Sequence, residues 1–382
     1  MTSMHDEAAL RSFGALIVRL QRRESLTREE TRAAYSQIWR NSQPELQQGA
    51  FIAALQGKGE TLDEILGVAD SHNDDWSKNA PGRISAPEPH LGVVGVGMDT
   101  LKTVNVSSGA AIIAAACGLY VHKIAAPGMT GVSGSAETFA MLGVDPDVDH
   151  ALSCKATEAC RLGYTSVFGR AAQATGLFRV LSQLRCGTSV HIAGPMGFHS
   201  GEQHKIIGVP RPELIPLVSE GMKQLGYRRA FVPCGGSNEY PDRYMDEFSN
   251  IGPTQVAELH EDGRVTRFEL RPEDAGIAPG RYADVAAAST PEENVRILAR
   301  TLAGQQQGAV LDLLALNAAA CLKLMGKVDS WADGVARARE AVIDGRALEQ
   351  LRSLIKTQNR DPIAGLAQLD SFIAASGAAS VR

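Results

Sequence analysis

The sequence has no cluster of lysines and arginines, no apolar run of membrane-spanning length and no pair of cysteines spaced CxxC. With 38 basic and 43 acidic residues the formal net charge is -5, so nothing in the charge balance indicates a nucleic-acid or membrane surface. The N-terminus lacks a basic region followed by an apolar one, which argues against secretion. The six scattered cysteines are typical of reduced thiols, so we expect a cytoplasmic protein.

Apolar residues are plentiful, since 44% of the 382 residues are hydrophobic, enough for a sizeable core. Residues 1 to about 80 carry helical periodicity and few strand signals. Pairs with capping-box spacing precede three of the predicted helices, namely Thr27 with Glu30, Ser42 with Glu45 and Thr61 with Glu64. The segment NAPGRISAPEPH, residues 79–90, holds three prolines and a glycine and is typical of a hinge between domains.

Short apolar runs alternate with helical patterns after this hinge. LGVVGVG, LYVHKIAA, SVHIAGP and RRAFVPCGG predict strands, and alternating runs around Asp262-Gly263 predict a hairpin. The last third returns to helices, among them the core run VLDLLALNAAACLKLMG. We therefore predict an α/β protein with a small N-terminal α-helical domain (1–80), a large α/β domain with a mostly parallel central sheet (81–360) and a tail (361–382).

The stretch GVGMDTLKTVNVSSGAA, residues 95–111, places polar residues between a predicted strand and an alanine-rich helix. Gly95 and Gly97 allow a tight turn and close backbone approach. Asn105, Ser107 and Ser108 stand at the helix start, where unpaired backbone N–H groups favour an anion. This pattern is also met in turns that are merely tightly packed, so phosphate binding and packing both remain open from the spacing alone.

Three further features bear on chemistry. Lys123 follows the next predicted strand, where it would place a positive charge beside a phosphate, although many lysines at strand ends are simply exposed. A second loop rich in glycine and hydroxyl groups, AAPGMTGVSGSAE, comes directly after it. Adjacent carboxylates at Asp246-Glu247 are suited to magnesium, or are merely solvated.

The histidines give little indication of a metal or catalytic site. His199 and His204 flank Glu202, but the spacing is not that of a helical zinc pair, so we expect these side chains at the surface. No Ser-His-Asp arrangement stands out in the sequence.

Taken together, these segments resemble the anthranilate phosphoribosyltransferase family, whose fold is shared with the pyrimidine nucleoside phosphorylases. The resemblance spans roughly residues 10–355. GVGMD stands where the family has GTGGD, and TVNVSS matches its T-x-N-x-S-T/S pattern. QGAFIAALQGKGETLDEILG, GSAETFAMLGV, GPM, YMDEFSNIGPTQVAEL, EEN and LALNAAACL follow in family order.

The resemblance implies a magnesium-dependent transfer of 5-phosphoribosyl from phosphoribosyl pyrophosphate to an aromatic amine, anthranilate or a related acceptor, by a homodimer formed through the helical part. Asp99 and Lys123 would be catalytic. Ser107, Asp246 and Glu247 would serve Mg²⁺. The acceptor would meet Gly95, Ala126 and Arg179. The contacts to phosphoribosyl pyrophosphate would come from Gly95, Gly97, Met98, Asp99, Thr103, Asn105, Val106, Ser107, Ser108, Lys123 and Ser135.

Two segments depart from the family pattern. Lys123-Ile124-Ala125-Ala126-Pro127 stands where the family has K-H-G-N-R, and Met98 replaces a glycine. Acceptors other than anthranilate therefore remain open. So do two alternative functions: a nucleoside phosphorylase, against which the acidic pair argues, and a family member without catalysis that binds a ligand or nucleic acid.

Overall fold

The computed structural model describes residues 6–126, 128, 134–167 and 176–374. It begins with four helices: α1 (Glu7–Gln21), α2 (Arg28–Trp39), α3 (Glu45–Lys58) and α4 (Leu62–Asn79). Thr27 and Thr61 close capping boxes with Glu30 and Glu64, as predicted. The third predicted box is wrong, because α3 follows Pro44 and has no side-chain cap.

A seven-stranded sheet forms the centre of the protein. Its strands are β1 (His90–Gly95), β2 (Tyr120–Ala125), β3 (Leu162–Ser166), β4 (His204–Gly208), β5 (Arg229–Gly235), β6 (Thr254–Leu259) and β7 (Val265–Leu270). They lie in the order β3-β2-β1-β4-β5-β6-β7. The first five pair in parallel, and the predicted hairpin adds β6 and β7 antiparallel at one edge. The predicted fold class is confirmed.

The helices that connect the strands and close the chain account for most of the remainder. In chain order they are α5 (Val106–Ala116), α6 (Ser135–Met141), α7 (His150–Cys160), α8 (Gly176–Leu184), α9 (Ser189–Ala193), α10 (Leu214–Leu225), α11 (Pro291–Leu302), α12 (Ala309–Leu324), α13 (Trp331–Ile343), α14 (Arg346–Gln358) and α15 (Pro362–Ala374).

One predicted strand is wrong. SVHIAGP forms the helix α9 and a 3-10 turn, and the strand comes later, at His204–Gly208. A short apolar run does not distinguish a buried strand from a buried helix. Here Nδ1 of His191 accepts a hydrogen bond from the Thr188 N–H, which caps the start of α9.

Alternate residues of the central strands enter two different hydrophobic clusters. On β4, Ile206 joins a cluster with the alanine-rich α5 and with α12, whereas Ile207 joins a cluster with α1–α4 and α8–α10. The N-terminal helices therefore share one apolar core with later helices and with one face of the sheet. The domain limits 1–80, 81–360 and 361–382 stay a prediction.

The alanine-rich end of the chain contributes a further helix. α15 packs on α14 and α11, and its Leu369 is fully buried. Within the part of the chain that the structure describes, no helix combines the length and apolar character needed to cross a membrane.

Candidate active site

A cavity of about 280 Å³ lies at the carboxyl ends of β1 and β2, where α5 and α6 begin and where the N-terminal helices meet α8 and α9. It brings together nearly all the residues that the sequence predicts for the site. These are Gly95, Gly97, Met98, Asp99, Thr103, Asn105, Val106, Ser107, Lys123, Ala126, Ser135, Asp246 and Glu247.

Two of the predicted residues do not line this cavity. Ser108 is fully buried on α5, and within the described part of the chain its Oγ has no hydrogen-bond partner. Arg179 points away: its Nη2 lies 2.5 Å from Glu45 Oε1, and its side chain is 57% exposed. Helical phase explains this, because Leu177, Phe178 and Leu181 face the cavity, whereas Arg179 lies on another face of α8. The structure therefore does not bring Arg179 to the acceptor.

Asp246 is fixed at the cavity wall by the backbone of the glycine turn. The N–H of Gly97 donates a hydrogen bond of 2.6 Å to Asp246 Oδ2. Gly95 and Gly208 provide the space, because a Cβ at either position would overlap Asp246. These glycines are needed so that a carboxylate can approach the turn, which is a physical reason for the glycines in the quoted stretch.

Three carboxylates share this end of the cavity. Burial, and then the neighbouring Asp246, raise the pKa of Asp99 to about 6, although Lys102 donates to its Oδ1 at 2.6 Å. Burial and the charges of Asp246 and Asp99 raise the pKa of Glu247 well above its usual value. Glu247 Oε2 is buried and has no hydrogen-bond partner among the residues that the structure describes. An excess of negative charge with an orphaned oxygen fits a divalent cation, so Asp246 and Glu247 suit Mg²⁺.

A buried lysine and a helix start provide the complementary positive charge. Lys123 is 1% exposed, and its Nζ donates to the carbonyl of Ile124 at 3.1 Å. Burial lowers the pKa of Lys123 to about 8. Asn105, Val106 and Ser107 line the cavity at the start of α5, where backbone N–H groups lack helical partners. This wall can bind an anionic phosphate.

Met98 adopts an unusual backbone conformation at this wall. Its φ is 62°, in the left-handed region that favours glycine, directly after Gly97 at 76°. Its side chain packs over Gly187, where an added Cβ would overlap the Met98 sulfur. The residue therefore adopts the glycine-like turn and also fills space beside the cavity.

The second predicted loop is described in part. Ser135 Oγ accepts a hydrogen bond from the Ala126 N–H at 3.3 Å, and Glu137 accepts from the N–H groups of Gly128 and Gly134. Residues 127 and 129–133 of this loop lie outside the described residues.

Another part of the cavity lining is aromatic and apolar. Trp39 from α2 lies there with residues of α8 and α9, namely Leu177, Phe178, Leu181 and Val190. Such a surface suits a planar aromatic ligand.

Sequence reasoning missed a set of buried polar residues at this cavity. His72, His199 and Lys205 line the cavity, and Glu202 pairs with Lys205 at 2.7 Å. The expectation that His199 and His204 lie at the surface is wrong, since they are 3% and 8% exposed. The only sequence signal was the dense polar segment HSGEQHK before an apolar run.

A second group of buried side chains, His122, His150 and Cys154, lies behind this set. Both nitrogens of His122 are hydrogen-bonded, to Thr157 and Thr165 at 2.8 and 3.0 Å, which is typical of a satisfied core histidine.

Comparison with known proteins assigns the chain to a family. Residues 88–348 match the model of the glycosyl transferase family a/b domain, and residues 15–72 match that of its helical bundle domain. An anthranilate phosphoribosyltransferase from Methylobacterium radiotolerans is 33% identical over 335 residues, which cover 88% of this chain and 93% of that protein. The chain belongs to the anthranilate phosphoribosyltransferase family.

Solved structures of family members agree with the fold. The anthranilate phosphoribosyltransferase of Thermus thermophilus has a TM-score of 0.77 and 26% identity, covering 93% of this chain and 99% of that one. The enzyme of Saccharomyces cerevisiae in complex with PRPP and Mg has a TM-score of 0.76 at 22% identity, covering 97% and 100%, and shows the shared fold. The resemblance predicted from GVGMD, TVNVSS and YMDEF is confirmed.

Proposed function

We propose that this protein transfers the 5-phosphoribosyl group of phosphoribosyl pyrophosphate to an aromatic amine, anthranilate or a related acceptor. The observation that carries the proposal is one cavity with an anion-binding wall, a carboxylate cluster and an aromatic end. Lys123 and the start of α5 form the anion-binding wall, and Asp246 and Glu247 belong to the carboxylate cluster. Trp39 and Phe178 belong to the third. This is the division that a phosphorylated sugar donor and an aromatic acceptor require.

Magnesium would be held by Asp246 and Glu247, with Ser107 also at this cavity. The buried, unpartnered Glu247 Oε2 and the crowding of carboxylates support this assignment. The cation would supply charge neutralisation for the departing pyrophosphate.

The residues of the chain would stabilise the leaving group and position the acceptor. The bond between C1 of the ribose and pyrophosphate breaks as the amine nitrogen bonds to C1, with an oxocarbenium-like sugar between. Lys123 and the N–H groups at the start of α5 would stabilise negative charge on the leaving group. Trp39 and Phe178 would hold the amine ring in line with C1, and positioning of this kind removes much of the barrier.

Calorimetric titration and an assay of turnover test the proposal. Phosphoribosyl pyrophosphate with Mg²⁺ is titrated into the protein, anthranilate is added to the preformed complex, and pyrophosphate release is measured. Binding followed by release supports the transferase. Binding without release directs the search to other aromatic amines, and no binding overturns the proposal.

We also propose that the protein acts as a cytoplasmic homodimer and binds neither nucleic acid nor membrane. Val18 on α1 and Leu46 on α3 are 43% and 89% exposed, and together they offer apolar surface on neighbouring helices. Light scattering of the protein and of a Leu46→Asp variant tests the dimer, since the charged side chain should release monomers.

A further inference from the structure

A buried amide lies in the middle of the apolar helix α12. Asn317 is 7% exposed, and its chain neighbours Leu316 and Ala318 are buried apolar residues. A polar side chain in such a place needs hydrogen-bond partners within the protein. Asn317 does not line the cavity, so its role follows from those partners.

Asn317 bonds both backbone groups of a single residue in another segment. Its Oδ1 accepts from the Phe248 N–H at 3.0 Å, and its Nδ2 donates to the Phe248 carbonyl at 2.9 Å. Nδ2 also donates to the Leu313 carbonyl at 2.9 Å, one turn earlier on α12. The side-chain oxygen and both amide hydrogens are therefore used. Two bonds in opposite directions fix both the position and the orientation of the backbone at Phe248.

The residue that this amide holds, Phe248, directly follows the carboxylate pair. On the other side of the pair, the backbone of Met245 exchanges two hydrogen bonds of 2.9 Å with the backbone of Gly235, at the end of β5. Asp246 and Glu247 therefore lie between two fixed backbone positions, and both line the cavity.

The side chain of Phe248 lies in the core, whereas that of Glu247 lines the cavity. Phe248 is fully buried, with its ring centroid 5.4 Å from that of Trp331 and 6.0 Å from that of Phe231. Between residues 247 and 248 the chain thus changes the side to which it directs its side chains. The hydrogen bonds of Asn317 fix the backbone at this change of direction.

Glu247 depends on this support more than Asp246 does. The Gly97 N–H holds the Asp246 carboxylate directly, whereas Glu247 Oε2 is buried without a hydrogen-bond partner among the described residues. Burial, and then repulsion by Asp246 and Asp99, raise the pKa of Glu247. Because this repulsion favours separation of the carboxylates, a fixed backbone is needed to keep them together.

We propose that Asn317 is a positioning residue, which holds the backbone after Glu247 so that both carboxylates of the pair face Mg²⁺. This inference rests on the metal assignment of the proposed function. Asn317 acts on the cation only through Asp246 and Glu247. Loss of a residue that supports metal ligands in this way lowers metal affinity by about 10-fold to 100-fold.

The variant Asn317→Ala removes both bonds to Phe248, and Gln358→Ala is its matched control. Gln358 on α14 is fully buried; its Oε1 accepts from the Tyr164 N–H at 3.0 Å, and its Nε2 donates to the Tyr164 carbonyl at 2.7 Å. Neither Gln358 nor Tyr164 lines the cavity. The two variants lose the same kind of support and differ in the segment that is released.

Hydrogen–deuterium exchange of the protein without metal or donor is the first measurement. In Asn317→Ala, the amides of residues 245–250 should exchange about tenfold faster than in the wild type, because the Phe248 N–H loses its acceptor. In Gln358→Ala, this segment should exchange at the wild-type rate. Unchanged exchange at residues 245–250 in Asn317→Ala overturns the proposal, whether or not the protein is a transferase.

The serine variant Asn317→Ser extends both measurements if Asn317→Ala does not fold. Its hydroxyl can bond the Leu313 carbonyl within the helix but is too short to replace both bonds to Phe248. It should show the same faster exchange and the same loss of metal affinity. Wild-type values in this variant overturn the proposal.

The second measurement is an electron paramagnetic resonance titration with Mn²⁺, which takes the same oxygen ligands as Mg²⁺, in the presence of phosphoribosyl pyrophosphate. Asn317→Ala should bind Mn²⁺ about 10-fold to 100-fold more weakly, and its rate of pyrophosphate release should recover as the Mg²⁺ concentration is raised. Gln358→Ala should stay within about twofold of the wild type in both. Equal Mn²⁺ affinity in Asn317→Ala and the wild type overturns the positioning role. A wild type that binds neither Mn²⁺ nor phosphoribosyl pyrophosphate overturns the proposed function instead.

Discussion

Asp246 and Gly97 are joined by a hydrogen bond of 2.6 Å from the backbone N–H to the carboxylate Oδ2. This bond ties the predicted metal ligand to the turn that begins the phosphate wall, although 149 residues separate the two in sequence. The proposed donor and cation sites are therefore coupled through one carboxylate. A substitution in the turn is therefore expected to alter binding of the cation, and a substitution of Asp246 is expected to alter the conformation of the turn.

The variant Gly95→Ala tests this coupling. Its new methyl group would overlap the Asp246 carboxylate, so the carboxylate must move and the hydrogen bond from Gly97 must break. We expect the rate of pyrophosphate release at saturating Mg²⁺ to fall by about 100-fold or more. Gly57→Ala is the control, because a Cβ there meets no atom within 4 Å. Full activity in Gly95→Ala would show that Asp246 does not need its present position.

Direct removal of the carboxylates should lower the rate of pyrophosphate release more than Gly95→Ala does. The pair Asp246→Ala with Glu247→Ala is expected to lower the rate by about a thousandfold or more, because charge on the leaving pyrophosphate is no longer neutralised. Asp242→Ala, an exposed acid in the same segment, should leave the rate unchanged. Intact turnover in the double variant would remove the metal role from this pair.

Lys123 predicts a pH dependence of donor binding. Its pKa of about 8 means that the free protein loses this positive charge as the pH rises through 8. Bound pyrophosphate raises that pKa, so the affinity for the donor is full below pH 8 and declines above it. Well above pH 8 the decline approaches about tenfold per pH unit. Calorimetry at pH 7 and pH 9 measures the effect. The variant Lys123→Met should bind weakly at both values; a wild-type affinity that is equal at the two would contradict this role.

Arg179 is expected to matter little for the acceptor. Its guanidinium is paired with Glu45 outside the cavity, at 2.5 Å. Arg179→Ala should therefore change KM for anthranilate by less than about threefold, since exposed ion pairs contribute about 0–1 kcal/mol. Glu45→Ala breaks the same pair from the other side and should behave alike. A tenfold rise in KM in Arg179→Ala alone would mean that the arginine leaves Glu45 when the acceptor binds.

The sequence was informative where local chemistry decides the structure. GVGMD and TVNVSS lie at a strand end and a helix start, so the positions of Gly95, Asn105 and Ser107 follow from the chain itself. The Asp262-Gly263 hairpin follows for the same reason, with Gly263 at a φ of 82°. Local pattern also gave the order of strand and helix, and hence the fold class.

Contacts between distant segments could not be predicted in this way. His72 and His199 meet across 127 residues, and their contact depends on how α4 packs against the segment before β4. The exposure of Arg179 depends on the rotation of α8 about its axis, which is set by packing against distant helices. The apolar pattern of SVHIAGP is compatible with a strand and with a helix. The cap at Thr188 favours the helix that the segment forms.

Acid stability gives a prediction for the buried histidines. Burial, then the charges of Arg228 and Arg229, lower the pKa of His204 to about 4, against 6.5 for an ordinary histidine. The unfolded chain therefore takes up the proton first, and the stability from this residue is full above pH 6.5 and is lost as the pH falls toward 4. The loss at pH 5 relative to pH 8 is about 2 kcal/mol for His204. Urea unfolding at the two pH values measures it, and His204→Gln should lower the difference by that amount. An unchanged difference in the variant would show that His204 does not resist protonation in the folded protein.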